Sequence, residues 1–288
     1  MKPTVTPLSA GCGARVDGLD LHAPLDAETV AAVRAAWLDH VILVFPGDEL
    51  AIDEQRRFAS YFGTVGERAR PKADRPEGAD YDRGFMLVSN VRNEDGKPIG
   101  SLPDGEMWFH HDMSYTPAPH KATFLHALDI PSRGGNTLFA NMYKAYENIP
   151  ETLKRRLAGR RVLHVYNYTL TERFDPDGDL SAVQHQWQPL FARHPETGRI
   201  ALYANRLMAA RIEGLPRAES DEALEQLFKI VEDPAIIYEH VWTQGDLVMW
   251  DNRCSCHART DFPREERRHL RRCTIEGAPM LAAEAAAA

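Results

Sequence analysis

The 288-residue sequence has no Cys-x-x-Cys pair, no apolar run long enough to cross a membrane, and no surplus of positive charge. Each absence closes a class of function. The four cysteines, Cys12, Cys254, Cys256 and Cys273, make neither a zinc knuckle nor a redox dithiol, and unpaired thiols suggest a reducing, cytoplasmic setting. No stretch approaches the roughly 20 apolar residues of a membrane span, and Met1 to Leu21 has no apolar signal region. Lys and Arg number 34 against 42 Asp and Glu, a net charge of −8. Nucleic acid, which needs clustered cations, is therefore not an expected partner. A local basic pocket for a small anion remains compatible with that balance, and a homo-oligomer stays open.

What is present is ordinary globular material, 43% hydrophobic. At about 150 residues per domain the length suggests nearly two domains, but one elaborated barrel or sandwich also fits. Asp26 caps an expected helix to Asp39 with Val30, Val33 and Trp37 at helical spacing. The run Val41 to Phe45 reads as a buried strand, and Asp53 as the cap of a second helix ending at Gly63. Further strands are expected at Phe85–Val91, Thr123–Leu128, Thr137–Ala140, Arg161–Tyr166, Pro189–Ala192, Ile200–Tyr203, Ile236–Trp242, Asp246–Trp250 and His269–Ile275. Helices are expected at Asn141–Gly159, broken at Pro150, and at Ser220–Val231. Many short strands with helices outside them predict a mainly β fold rather than βαβ repeats.

Three clusters could carry chemistry. In His110-His111-Asp112 the first and third residues share a face if the segment is strand or strand exit, a placement that suits two ligands on one metal. With twelve histidines and 21 aspartates in the chain, about one His-x-Asp arises by chance, so the pair alone decides nothing. The strand Asp246 to Trp250 ends in Asp251-Asn252-Arg253, and His257 after it is a candidate third ligand. Cys254 and Cys256 flank it at a spacing poor for joint zinc chelation. Arg268, Leu270 and Arg272 share one face of the last strand, and two inward guanidiniums form a candidate clamp for carboxylates. Asp175-Pro176-Asp177-Gly178-Asp179 imitates a calcium loop but has Gln186 where the twelfth-position Glu belongs. Gly134-Gly135-Asn136-Thr137 reads as a turn into a strand.

In order along the chain these pieces resemble the taurine dioxygenase and 2,4-dichlorophenoxyacetate dioxygenase family of Fe(II)/2-oxoglutarate oxygenases. The likeness runs from Pro7-Leu8-Ser9-Ala10-Gly11 and Val44-Phe45-Pro46-Gly47 to Thr274. It rests on the joint spacing of His110-x-Asp112, Gly134 to Thr137, Trp250-Asp251-Asn252-Arg253 with His257, and Arg268 and Arg272. The resemblance implies a single oxygenase domain over residues 1–288, with a double-stranded β-helix (jelly-roll, cupin-like) core and a frayed tail from 280. It implies His110, Asp112 and His257 as the iron ligands, the facial arrangement of two histidines and one carboxylate that leaves open positions. Arg268 and Thr137 would hold the distal carboxylate of 2-oxoglutarate. Arg272 would face an acidic group of the prime substrate or the other 2-oxoglutarate carboxylate. Met113 and Tyr115 would alternate inward as pocket walls, and His111 would take a structural or rim position. The intact Asp112 favours hydroxylation over halogenation.

The implied reaction hydroxylates a small acidic molecule, with O₂ consumed and 2-oxoglutarate converted to succinate and CO₂. Thr64 to Asp80 has no histidine and no aromatic residue, a departure from the taurine-specific pattern. That loop instead carries Arg68, Arg70, Lys72 and Arg75, which could hold a different anion or simply face solvent. Two rival readings are a non-catalytic sensor of metal or 2-oxoglutarate and a zinc hydrolase on the same ligands.

Overall fold

A computed structural model describes residues 2–47, 49–67, 75–78, 81–102, 105–167, 174–175 and 177–283. In chain order the strands are β1 (Thr4–Pro7), β2 (Ala14–Asp17), β3 (Ile42–Phe45), β4 (Phe85–Ser89), β5 (Met107–His110), β6 (Ala122–Asp129), β7 (Thr137–Asn141), β8 (Arg161–Val165) and β9 (His185–Pro189). They continue as β10 (Phe191–Arg193), β11 (Ile200–Leu202), β12 (Ala209–Ile212), β13 (Ile237–His240), β14 (Leu247–Asp251), β15 (Ser255–Arg259), β16 (His269–Ile275) and β17 (Leu281–Ala282). The helices are α1 (Ala27–His40), α2 (Ile52–Ser60), α3 (Met142–Glu147), α4 (Glu151–Leu157) and α5 (Arg217–Val231).

Two sheets make the jelly-roll core. The larger has the order β1-β2-β3-β14-β6-β16-β4, antiparallel except where β2 meets β3, and the smaller is β13-β7-β15-β5, antiparallel throughout. Three-stranded sheets β12-β8-β9 and β11-β10-β17 lie outside them. β3 is apolar at every position because both faces are covered. Ile42 and Val44 join the core shared with Phe139, Ala140, Cys256 and Ala258 of the smaller sheet. Leu43 and Phe45 pack with Val33 and Trp37 of α1 and Phe58 of α2. Each such side chain contributes about 1.5–3 kcal/mol of burial free energy. Phe139 meets Trp250 across the sandwich at 5.2 Å between rings.

The expected helices and most of the expected strands are present, with local corrections. Asp26 does cap α1, accepting from the Thr29 amide at 2.7 Å. α2, however, is entered from Ala51, whose amide donates to Glu54 at 2.7 Å, and Asp53 lies in its first turn. The run Pro189–Ala192 is two strands divided at Leu190, and Ile236 closes a short 3-10 turn before β13. β5, β12 and β15 are among the strands that the sequence pattern does not announce. In β15 the reason is chemical: Ser255, His257 and Arg259 occupy alternate positions that a plain barrel would fill with apolar groups, so the period-two signal is lost.

Candidate active site

β5 and β15 are neighbours in the smaller sheet, and their register sets His110 directly opposite His257. The two rings lie 4.1 Å apart, centre to centre. β5 stops at His110 and the chain turns, with Met113 at φ 59°, which brings Asp112 back over the strand end. His110 Nε2 is then 3.9 Å from Asp112 Oδ1, and His257 Nε2 is 3.9 Å from Asp112 Oδ2. Two atoms bonded to one ion at about 2.1 Å cannot stand more than about 4.2 Å apart, a limit that the separation of His110 Nε2 from Oδ1 meets. All three candidate donor atoms fall within 4.8 Å of one another.

The protonation states fit the same use. His110 Nδ1 donates to the Trp108 carbonyl at 2.9 Å, because a carbonyl only accepts, and this leaves Nε2 with its lone pair. Burial lowers the pKa of His110 and takes that of His257 down to about 3, so both rings are neutral at pH 7. For Asp112, burial pulls the other way, yet the Arg272 guanidinium and the two neighbouring imidazoles hold its carboxyl well below the usual range. Arg272 Nη2 lies 3.1 Å from Asp112 Oδ2.

Arg268 lies in the residue before β16 and is 2% exposed. Its Nε donates to the Gly135 carbonyl at 3.0 Å, and its amide donates to Asn90 Oδ1 at 2.8 Å. Nη1 is buried and unpartnered, and among the described residues no carboxylate faces this guanidinium. Burial, then repulsion from Arg259, lowers its pKa to about 9, which still leaves it charged at pH 7. The Gly134-Gly135 turn makes the approach possible. Gly135 has φ 64°, and a Cβ there would stand 2.9 Å from Arg268 Nε. Two residues on, Thr137 Oγ1 accepts from Trp242 Nε1 at 3.1 Å, so the hydroxyl hydrogen is left to donate.

Other expectations are placed differently. Met113 and Tyr115 do not alternate along a strand, because the chain is already turning. Tyr115 is buried, its hydroxyl donates to Met113 Sδ at 3.1 Å, and both join an apolar cluster with Met107, Trp108, Leu207 and Met208. His111 takes the structural of its two expected positions, fully buried: its ring lies tilted against Tyr203 at 4.3 Å and meets the Asn205 amide at 3.0 Å. Cys256 Sγ contacts Met142 Sδ at 3.4 Å, away from His257. Cys254 belongs to a second compact group with His194 and Asp251, but its donor atoms are committed. His194 Nδ1 accepts the Glu196 and Thr197 amides, its Nε2 meets Asp251 at 3.0 Å, and Arg253 binds the same carboxylate. Asp175 and Asp177 pair with Arg217, a surface loop contact. Arg68, Arg70 and Lys72 lie outside the described residues, and Arg75 is buried.

Two further residues stand at the site without a sequence expectation: Thr123, whose Oγ1 lies 3.5 Å from Asp112 Oδ2, and Asn252, which contacts Thr123. Asn252 belongs to the Trp250-Asp251-Asn252-Arg253 run. Thr123 carried no signal, since its partners are distant in sequence.

The family described as taurine catabolism dioxygenase TauD, TfdA family matches residues 4–274. Pentalenolactone F synthase of Streptomyces avermitilis is 36% identical over 281 residues, covering 90% of this chain and 89% of that one. The (S)-phenoxypropionate/alpha-ketoglutarate-dioxygenase of Sphingobium herbicidovorans is 35% identical over 285 residues, covering 96% and 95%. The crystal structure of AAD-2 in complex with Mn(II) and N-oxalylglycine superposes with a TM-score of 0.80 at 27% identity, covering 99% of this chain and all of that one. A match over nearly the whole length, with relatives above 30% identity across it, makes this chain a member of the TauD, TfdA family of dioxygenases and so an oxidoreductase.

Proposed function

We propose that the chain, acting as one oxygenase domain, uses Fe(II), 2-oxoglutarate and O₂ to hydroxylate a small acidic organic molecule. The observation that carries this reading is the pairing of two unlike binding features: a neutral–neutral–anionic donor trio beside a buried, carboxylate-free guanidinium. His110, Asp112 and His257 would hold the metal, since two neutral imidazoles and one ionised carboxylate suit Fe(II) and leave positions for other ligands. When bound, the iron with 2-oxoglutarate supplies the oxidising step, in which O₂ is consumed, succinate and CO₂ form, and a substrate C–H bond becomes C–OH.

The chain's own groups bind and orient. Arg268 would meet the distal carboxylate of 2-oxoglutarate through Nη1, with Thr137 donating its hydroxyl to the same group. Arg272, already held at Asp112, would neutralise charge at the donor trio and face a carboxylate or sulfonate of cosubstrate or substrate. Met113 and Tyr115 would wall the substrate side and keep water out. An acidic substrate accords with the phenoxypropionate enzyme among the relatives, and with the Arg268 and Arg272 guanidiniums in a protein of net charge −8.

The test is succinate formation with Fe(II) and 2-oxoglutarate across aryloxyalkanoates, sulfonates, sulfate esters and amino acids. Stimulated, oxygen-dependent turnover with an acidic member is expected. No turnover with any of them, alongside retained 2-oxoglutarate binding, would support the sensor reading. Activity that persists without oxygen would support a zinc hydrolase.

A further inference from the structure

Trp250, Asn252 and Thr123 form a buried series that ends on Asp112. Trp250 Nε1 lies 2.8 Å from Asn252 Oδ1, Asn252 Nδ2 lies 2.9 Å from Thr123 Oγ1, and Thr123 Oγ1 lies 3.5 Å from Asp112 Oδ2. Asn252 and Trp250 are each 1% exposed and Thr123 not at all. The direction of every link follows from the first. An indole nitrogen can only donate, so it requires the oxygen of the Asn252 amide to face it. The amide nitrogen must then face Thr123 and donate to its oxygen. With that lone pair engaged, the Thr123 hydrogen is turned towards the carboxylate, which can only accept.

We infer that Asn252, acting through Thr123, is a positioning residue for Asp112: the series fixes Oδ2 and presents Oδ1 to the metal. Among the described residues, Oδ2 receives Thr123 and Arg272, whereas Oδ1 accepts no hydrogen bond. A carboxylate with one oxygen held by donors cannot rotate freely to bind a cation through both. The strand register makes the arrangement rigid, because Trp250 of β14 lies opposite Thr123 of β6 and Asn252 follows directly after β14. Links that point the same way also polarise one another, which strengthens the last and longest contact. This gives Trp250-Asp251-Asn252 a role at the metal site although none of its side chains is a proposed ligand. Asp251 is engaged elsewhere, by His194 and Arg253.

The inference rests on the metal-site reading above, and the experiment separates the two. Mn(II) binding to the full chain is measured by calorimetry for the wild type and for Asp112→Ala, Thr123→Val, Thr123→Ser, Asn252→Ala and the Thr123→Val/Asn252→Ala double variant. Circular dichroism and the melting temperature of each metal-free protein check the fold. Outer contacts to a ligand typically alter affinity 10–100-fold. Thr123→Val should weaken Mn(II) binding about tenfold, Thr123→Ser should restore it to within about threefold of the wild type, and Asn252→Ala should weaken it by less than Thr123→Val does. The double variant should bind no worse than Thr123→Val alone, because Asn252 acts through the hydroxyl. Michaelis constants for 2-oxoglutarate should not move, as Arg268 is untouched.

Wild-type affinity in Thr123→Val, or additive losses in the double variant, overturns the inference. Should Asn252→Ala fail to fold, the contrast between Val and Ser at position 123 decides. Full binding by Asp112→Ala would instead overturn the metal-site reading itself.

Discussion

Replacing Arg268 by Met should move stability and cosubstrate binding in opposite directions. In the metal-free protein the guanidinium is buried, among the described residues its Nη1 meets no partner, and its Nε donates to the Gly135 carbonyl. A pKa brought from 12.5 to about 9, by burial and then by repulsion from Arg259, corresponds to a cost of roughly 5 kcal/mol at 1.36 kcal/mol per decade. Met fills much of the same volume without the charge. It forfeits the Gly135 bond, worth about 1.5–3 kcal/mol for a charged donor, so the metal-free variant should be more stable by about 2–3 kcal/mol.

Binding should suffer more. Removing the guanidinium that would meet the 2-oxoglutarate carboxylate through Nη1 should cost about 3 kcal/mol, or roughly 150-fold in Kd. The assays are urea denaturation of the metal-free proteins and calorimetric titration of the Mn(II)-loaded proteins with 2-oxoglutarate. A Met variant that binds 2-oxoglutarate within threefold of the wild type would remove Arg268 from the cosubstrate site. A variant less stable by more than about 1 kcal/mol would refute the view that this charge stands uncompensated in the metal-free fold.

Gly135→Ala forces φ 64° on a residue with a Cβ and sets that carbon 2.9 Å from Arg268 Nε. It should cost about 1–2 kcal/mol of stability and raise KM for 2-oxoglutarate well beyond any change in kcat, as steady-state kinetics will show. The four thiols should be silent to Ellman's reagent at pH 8 in the native protein and all react in denaturant. Burial pushes Cys12 and Cys273 up to about 12 and Cys254 and Cys256 well above the ordinary thiol value. Because the unfolded chain ionises these thiols near pH 8.5 to 9 while the folded chain keeps their protons, stability should fall as pH rises from about 9 towards 12. A rapid native reaction of one thiol at pH 8 would contradict the buried placement.

The sequence determined the elements whose signals are local and the chemistry whose signals are spaced. β3 announces itself by an unbroken apolar run, α1 by an Asp cap and a stripe through Val33 and Trp37, and β16 was legible at both ends. His110, Asp112, His257, Arg268 and Arg272 were legible together because their spacing matches a family pattern, although His-x-Asp alone stands at chance. Tertiary structure decided what depends on one strand lying against another. It set His257 opposite His110 through the pairing of β5 with β15, and in β15 polar residues at alternate positions hide the strand from a period-two reading. It turned the chain after β5, so Asp112 reaches the trio by a bend rather than by strand alternation, and it buried His111 against Tyr203. Among the described residues it set no carboxylate against Arg268 while giving one to Arg272. Thr123 and Asn252 are 129 positions apart, and nothing local marks either as a neighbour of Asp112. A hydrogen bond closes over a few ångströms of space whatever the length of chain between its partners, and only the fold sets that distance.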